Sequence, residues 1–280
     1  RNFAAFGAAE NGHLSTLELL LTQQSVSLQS RDQKGRTLLM HACRSGHSDV
    51  IQALLSKVTQ QDLVLTDNQE STALLESCFI ADMDVLRLMV DKLSSDTTAP
   101  HAISMSREDG TTALHIAAEF GRADLLRLLL HTDSKLIDRR RTDGTTALFA
   151  ACEHGQEQAV RALLAAQADV NVHTSMLEHT GAGKTPLQCA ALSGNSTIVR
   201  ALLDAKAEPD ATRENDGMTS LMLASRAGHE SVVVELARKG ADVNLRRKTG
   251  ECESALVTAC KNGEVCAPCR VPEHRTSQLS

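Results

Sequence analysis

The side chains best suited to chemistry lie near the end of the sequence. Cys266 and Cys269 are separated by two residues, and Cys252, Cys260 and His274 lie nearby. Thiolates and imidazoles at such spacing are ligands that zinc prefers. A zinc ribbon needs a second pair of cysteines at comparable spacing, and the sequence has none. We therefore favour an irregular end of the chain over a metal or redox site.

A glycine-rich stretch, Gly181 to Thr185, reads Gly-Ala-Gly-Lys-Thr. It is similar to the end of a phosphate-binding loop, whose backbone would cradle phosphate groups, but Glu178 stands where that pattern requires a further glycine. A turn explains the same residues, and we favour that interpretation. The sequence also lacks the Gly-x-Ser-x-Gly and His-Glu-x-x-His motifs of hydrolases. We predict no catalytic residue, no cofactor and no metal ligand.

All of these residues must be positioned by a unit that recurs along the chain and is clearest from Asp109 to Leu130. Asp109-Gly110 indicates a turn, a short apolar helix then ends at Gly121, and a leucine-rich amphipathic helix follows. The glycine between the two helices recurs at intervals of 34, 35, 40, 34, 39, 34 and 35 residues, with Ala81 in the one copy that lacks it. These glycines are Gly12, Gly46, Gly121, Gly155, Gly194, Gly228 and Gly263.

This unit resembles the ankyrin repeat, which has a period of about 33 residues. The signature Thr-Pro-Leu-His-x-Ala is similar to Thr185 to Ala190 and to Thr112 to Ala117, and the loop wording Gly-Ala-Asp-Val-Asn stands intact at Gly240 to Asn244. The resemblance implies an all-α fold, an ankyrin-repeat solenoid of stacked helix-turn-helix units joined by short β-turn or hairpin loops.

We predict one array at residues 1–263 and an irregular tail at residues 264–280. Its repeats are predicted at residues 2–24, 32–57, 67–93, 108–131, 142–168, 184–207, 216–241 and, in part, 250–263. The third is the least regular, because Glu70 replaces the turn glycine, and a non-Gly residue at left-handed φ costs about 1–2 kcal/mol. We expect the array to be divided after this repeat, in the longer connection at residues 94–107. Since the sequence opens on Arg1 inside a helix, we also expect a fragment of a longer chain.

Recurrence assigns structural roles to several reactive residues. The same slot of the first helix holds cysteine in four repeats, and we predict small buried core residues there: Cys43, Cys78, Cys152 and Cys260. Three histidines directly follow the inter-helix glycine and are predicted to form hydrogen bonds between neighbouring loops: His13, His47 and His229. The resemblance gives His115 a role in hydrogen bonding at the helix start. Two basic runs, residues 138–141 and 246–248, are interpreted as solvated loop charge.

Composition excludes several classes of partner. A net charge of −6 argues against nucleic acid, which needs concentrated Lys and Arg. No stretch approaches the ~20 apolar residues of a membrane span, and no signal-peptide pattern opens the sequence. We expect a cytoplasmic monomer that binds neither nucleic acid nor membrane.

The resemblance implies protein binding through a concave face formed by turn tips and the exposed ends of first helices. The predicted protein-binding residues belong to the pair of positions just before the inter-helix glycine, or before Ala81 in the third repeat, and are Arg44, Phe79, Ile80, Glu119, Phe120, Glu153, His154, Leu192 and Arg226. Phe79 and Phe120 lie in adjacent repeats and are expected to form one apolar patch. The alternative is that they fold back onto the longer connection at residues 94–107.

Our first hypothesis is a non-catalytic scaffold that binds one or more proteins. The alternative is a regulatory or targeting array of a larger enzyme, such as a protein kinase whose catalytic domain lies outside this sequence. No kinase glycine-rich loop or His-Arg-Asp motif occurs in these residues.

Overall fold

The computed structural model describes residues 2–22, 26–80, 82–94, 102–174, 183–213, 215–247 and 254. Within those residues the secondary structure is helical, apart from isolated antiparallel bridges such as Thr66 with Thr72 and Ser106 with Thr112. The longest described helix, Met83–Ser94, has 12 residues, whereas a bilayer requires about 20, so none of the described helices spans a membrane.

The chain forms two compact units, residues 1–142 and residues 143–280. The described part of the first unit contains these helices: α1 (Phe3–Glu10), α2 (Leu14–Thr22), α3 (Leu38–Ser45), α4 (Ser48–Leu55), α5 (Gln60–Leu63), α6 (Ala73–Ser77), α7 (Met83–Ser94), α8 (Ala113–Glu119) and α9 (Ala123–Thr132). The first helices α1, α3, α6 and α8 contact one another in that order, and so do the second helices α2, α4, α7 and α9. The unit is therefore two parallel layers of helices.

The second unit repeats this arrangement. Its described helices are α10 (Ala147–Glu153), α11 (Glu157–Ala165), α12 (Pro186–Leu192), α13 (Ser196–Asp204), α14 (Ser220–Arg226) and α15 (Glu230–Arg238). Helices α10, α12 and α14 form one layer, and α11, α13 and α15 form the other. The predicted eighth repeat, except Ser254, and the predicted tail lie outside the described residues.

A threonine begins each regular first helix because its hydroxyl satisfies a backbone N–H that has no partner within the helix. The hydroxyl of Thr185 accepts from the N–H of Gln188 at 3.2 Å, and the Gln188 side chain accepts in return from the N–H of Thr185 at 3.1 Å. In repeat four, Nδ1 of His115 lies 2.8 Å from the hydroxyl of Thr112, which confirms the helix-start role expected for this histidine. The equivalent caps are Thr37, Thr72, Thr146 and Thr219.

The turns before these helices contain a residue with positive φ. Gly183 has a φ of 72°, which fits the repeat turn rather than a phosphate-binding loop, although Gly181 lies outside the described residues. In the third repeat Glu70 takes this position with a φ of 59°, as expected from its alignment with the turn glycines. Gln167 and Lys206 are likewise left-handed, at 67° and 71°, in the slot where repeat seven has Gly240. Backbone strain is thus spread over three repeats.

Small and aliphatic side chains fill the space between the layers. Leu125, Leu126 and Leu129 of α9 are fully buried. Cys43, Cys78 and Cys152 are buried too, which confirms their predicted core role, while Cys260 lies outside the described residues. Burial raises the pKa of the Cys78 thiol to about 12, and the pKa values of Cys43 and Cys152 are also raised by burial. The described thiols are therefore protonated and poor nucleophiles near neutral pH.

The two compact units divide between Thr142 and Asp143 and not at residues 94–107. The expectation that the array unfolds in two blocks separated at residues 94–107 stays a prediction. The helices on either side of that connection pack directly on each other, α6 against α8 and α7 against α9. Side chains also cross it, because Arg107 binds Glu76 of α6.

Candidate functional site

The predicted binding residues of the first unit all lie where a first helix ends. Arg44 is in the last turn of α3, Phe79 and Ile80 follow α6, Glu119 ends α8, and Phe120 comes next. Helices α3, α6 and α8 are consecutive members of one layer, so their ends follow one another along the unit.

The phenylalanine rings of two adjacent repeats are in contact. The ring centroids of Phe79 and Phe120 are 5.4 Å apart with an interplanar angle of 82°. This edge-to-face arrangement is favoured by the charge distribution of aromatic rings. The side chains nevertheless remain 40% and 53% exposed, well above a core residue. The two rings therefore form an apolar surface feature shared by repeats three and four.

Arg107, the last residue of the connection between these repeats, covers one side of the aromatic pair. Its guanidinium carbon lies 5.5 Å from the Phe79 ring centroid, within the range of a cation–π contact. The alternative expectation, in which the rings contact the connection at residues 94–107, therefore holds in part, because Phe79 contacts Arg107 of that connection. The ring of Phe120 contacts Phe79 and stays the more exposed of the two.

A buried carboxylate lies beside this arginine. Glu76 of α6 is 5% exposed, and its Oε1 accepts from the hydroxyl of Ser71 at 2.7 Å and from Nη2 of Arg107 at 3.0 Å. Nε of Arg107 also donates to the Ser71 hydroxyl at 3.2 Å, and Nη1 of Arg44 lies 3.9 Å from the second carboxylate oxygen. Glu76 was given no role from the sequence, although a charged residue at a first-helix position that holds Ile116 and Leu223 in other repeats signals a need for a partner.

A second arginine fastens the loop that carries Phe79. Arg122 follows the glycine of repeat four and donates to the carbonyl oxygens of both Phe79, at 3.1 Å, and Ile80. Ile80 itself is half-buried, and its Cγ2 lies 3.0 Å from where a Cβ on Gly46 would be. Ile80 therefore packs between repeats two and three and contributes less free surface than either phenylalanine.

Glu119 is a structural ion-pair partner as well as a residue at the edge of the patch. Its carboxylate accepts from Nη2 of Arg141 at 2.5 Å, with the two side chains 23% and 17% exposed. Arg141 ends the basic run at residues 138–141, so the interpretation of that run as solvated loop charge was wrong for this residue. Arg139 and Arg140 are exposed.

The remaining predicted residues belong to the second unit. Glu153 and Arg226 are the last residues of α10 and α14, and both are exposed. Nδ1 of His154 lies 2.9 Å from the carbonyl oxygen of Ala150, which ties this exposed ring to its own helix. Leu192 ends α12 and is half-buried.

Hydrogen bonds between neighbouring loops confirm the role predicted for two histidines. Nε2 of His47 lies 3.0 Å from the carbonyl oxygen of Glu10, and Nε2 of His229 lies 2.9 Å from that of Leu192. A Cβ on Gly12 would stand 2.5 Å from the His47 ring, so this glycine is required for the close approach as well as for its φ of 74°.

A cleft of about 780 Å³ at the start of the first unit was missed from the sequence. Nε2 of His41 lies 3.0 Å from a carboxylate oxygen of Asp32 at its edge, and Phe6 packs 5.1 Å from the His41 ring. Burial raises the pKa of Asp32, but hydrogen bonds from the backbone and side chain of Arg36 and from His41 outweigh it and bring the pKa to about 2. None of the described residues lining the cleft is Ser, Thr or Cys, so the His–Asp pair has no nucleophile to activate.

Metal ligands do not gather in the described part of the chain, where no group of three His, Cys, Asp or Glu side chains has suitable geometry. Cys266, Cys269 and His274 lie outside that part, so a zinc site there stays untested.

Several known proteins are similar to part of this chain. The chain is 40% identical over 70 residues to the mouse (Mus musculus) ankyrin repeat and SAM domain-containing protein 6, covering 25% of this chain and 8% of the relative. It is 31% identical over 152 residues to the E3 ubiquitin-protein ligase XBAT33 of Arabidopsis thaliana, covering 46% and 29%. It is 28% identical over 158 residues to neurogenic locus notch homolog protein 1 of Xenopus laevis, covering 56% and 5%. The chain thus spans less than a third of the length of each of these relatives.

Solved structures share the fold over most of the chain. The human ASB11 ankyrin repeat domain superposes with a TM-score of 0.69 at 22% identity, covering 85% of this chain and 98% of that domain. A chain in the complex of the predatory endopeptidase Bd0816 of Bdellovibrio bacteriovorus with immunity protein Bd3460 superposes with a TM-score of 0.60 at 27% identity, covering 72% and 97%.

The family model described as ankyrin repeats (3 copies) matches residues 5–101, 93–174 and 174–247, which is most of the sequence. Capping threonines, left-handed turn residues and paired helix layers give the structural basis for that match. The chain belongs to the ankyrin-repeat family.

Proposed function

We propose that the chain is a non-catalytic scaffold that binds a partner protein through the concave surface formed by the ends of its first helices and by its turn tips. Ankyrin repeats are in general protein–protein interaction modules, which supports the proposal at the level of class. The proposal includes a cytoplasmic location and a monomeric state.

The observation that carries the proposal is the exposed aromatic pair of repeats three and four. Phe79 and Phe120 contact each other but remain 40% and 53% exposed, with Arg107 over the Phe79 ring and Arg44 near the carboxylate of Glu76. Binding hot spots favour aromatic and arginine side chains that a partner encloses. The residues proposed for the second unit are Glu153, His154, Leu192 and Arg226, whose exposure and position at helix ends support a weaker contribution.

The test is a double variant, Phe79→Ser with Phe120→Ser, used to capture partners from a cell lysate. We expect loss of the captured protein, with a modest stability cost made up of the about 0.5–1.5 kcal/mol of an edge-to-face pair and the burial lost by two half-exposed rings. Leu88→Ser is the matched control, because Leu88 is 44% exposed and lies on the second helix α7 of the same unit. A drop of many degrees in melting temperature with unchanged capture would show that the phenylalanines are core residues.

The second candidate is a regulatory or targeting array within a larger enzyme, such as a protein kinase. One observation favours this class: a relative of the repeats, XBAT33, is named as an E3 ubiquitin-protein ligase, and the chain covers only 29% of it. Sequencing the reading frame on both sides of these residues separates the two candidates.

A further inference from the structure

A concentration of positive charge surrounds the aromatic pair. We define the aromatic–arginine patch as Phe79, Phe120, Arg44, Arg107 and Arg122. Arg44 and Arg107 both approach the carboxylate of Glu76, whereas Arg122 donates to the main-chain carbonyl of Phe79. Counted over these contacting residues alone, three arginines against one carboxylate give a formal charge of about +2. The whole chain has a net charge of −6, so this sign is a local inversion.

The arginines also differ in how much of their charge is available. Arg107 is paired with Glu76 at 3.0 Å and 25% exposed, which leaves its charge largely balanced. Arg44 approaches the same carboxylate only to 3.9 Å and is 63% exposed. Arg122 donates to the carbonyl oxygens of Phe79 and Ile80 rather than to a carboxylate in those bonds. Arg44 and Arg122 therefore supply the uncompensated charge.

Other carboxylates near this set have identified partners of their own. Asp82 accepts from the N–H groups of Asp84 and Val85 at the start of α7, which anchors its negative charge at that helix end without neutralising it. Glu119 is paired with Arg141. Glu108 and Asp109 line a turn-tip cleft with Arg107 that includes neither phenylalanine.

We propose that the aromatic–arginine patch binds an acidic peptide segment in which an aromatic or large aliphatic side chain is flanked by Asp or Glu. The apolar side chain would stack on the exposed faces of Phe79 and Phe120, while its flanking carboxylates pair with Arg44 and Arg122. Such pairing fixes orientation and speeds association. This inference rests on the proposed function and adds the chemistry of the partner to it.

Charge distribution favours an acidic protein segment over nucleic acid. Phosphate backbones require many Lys and Arg contacts spread along a strand. Here the arginines lie at three points only, namely the last turn of α3, the end of the connection before repeat four and the start of α9, and the whole chain has a net charge of −6.

The experiment is selection of peptides from a random twelve-residue display library on the immobilised full chain. We expect enrichment of peptides that combine an aromatic or Leu side chain with neighbouring Asp or Glu. An enriched peptide, labelled with a fluorophore, should bind Arg44→Glu at least tenfold more weakly and should bind less tightly as salt is raised. Arg127→Glu is the control, because Arg127 is 62% exposed on α9 and outside the patch.

Other results would overturn the inference, the proposed function, or both. Enriched peptides that are not acidic, yet lose binding to Phe79→Ser with Phe120→Ser, overturn this inference and leave the proposed function standing. Peptides insensitive to that double variant overturn both. A library without enrichment, or equal displacement of the peptide by a single-stranded RNA oligonucleotide, also overturns the inference. The inference is also overturned if Arg44→Glu, with an unchanged circular dichroism spectrum, still binds the enriched peptide.

Discussion

Removing Arg107 should destabilise the first unit far more than removing its partner Glu76. Glu76 is almost fully buried, with a 6% exposed side chain, and Arg107 provides its close positive partner at 3.0 Å. Breaking a buried ion pair from one side costs about 3–5 kcal/mol, because a charge is left buried without compensation. Since Ser71 still donates to the carboxylate and Arg44 lies 3.9 Å away, we expect Arg107→Ala to cost about 3 kcal/mol.

The opposite change, Glu76→Leu, should cost about 1 kcal/mol or less. The equivalent slot holds Ile116 and Leu223 in other repeats, so an aliphatic side chain suits it. Arg107 is 25% exposed and keeps its contact with Phe79, so it is not left desolvated. The double variant should therefore be more stable than Arg107→Ala alone.

The assay is urea denaturation of the full chain followed by far-ultraviolet circular dichroism, because the sequence contains no Trp or Tyr for fluorescence. Hydrogen exchange at α6 and α8 localises the effect, since repeat arrays do not have to unfold in one step. Arg44→Ala is the control and should change stability by less than about 0.5 kcal/mol, because Arg44 is 63% exposed. Equal costs for Arg107→Ala and Glu76→Leu, or strictly additive effects in the double variant, would refute the reasoning.

Three further predictions concern single positions. Leu129→Ala should cost about 2–5 kcal/mol because Leu129 is fully buried, while Arg127→Ala on the exposed face of the same helix should cost little; equal urea midpoints would contradict the assignment of faces. Glu70→Gly should raise the melting temperature, because Glu70 has a φ of 59° and left-handed strain costs about 1–2 kcal/mol; a lowered melting temperature would count against strain there. The pKa of Asp32 in the folded chain is about 2, which is below its ordinary value. Its ionised form therefore stabilises the fold fully above about pH 5, and this stabilisation is lost as the pH falls through 2. The melting-temperature difference between wild type and Asp32→Asn should accordingly shrink over that range, and a constant difference would argue against the shift.

Features tied to one residue type in one slot were predictable from the sequence. The turn residues recur because only a left-handed conformation closes the turn, and Glu70 confirms that the geometry persists where glycine is replaced. The loop histidines His47 and His229 were predictable because they occupy equivalent positions. Repetition supplies several independent observations of one local structure, which a single motif does not.

Contacts between side chains at different positions of different repeats were not predictable in the same way. The contact of Glu76 with Arg107 joins residues 31 apart in different repeats, and no periodic pattern marks it. Helix α5 was also missed, because four residues carry no helical periodicity. Its one local signal was the pair Thr59 and Asp62, whose side chains form a capping box.

The loop hydrogen bonds bear on how such a chain changes length. His47 reaches back 37 residues to Glu10, His229 reaches back 37 to Leu192, and Arg122 reaches back 43 to Phe79. In each case the donor follows an inter-helix glycine, and the acceptor is a main-chain carbonyl at the end of the preceding first helix, which every residue type supplies. Excision or duplication of one complete repeat brings a new donor to an equivalent carbonyl, so this hydrogen bond re-forms without a compensating substitution, whereas a specific side-chain pair such as Arg107 with Glu76 is separated. Changes in repeat number by whole units are therefore tolerated best at junctions held by these main-chain acceptors.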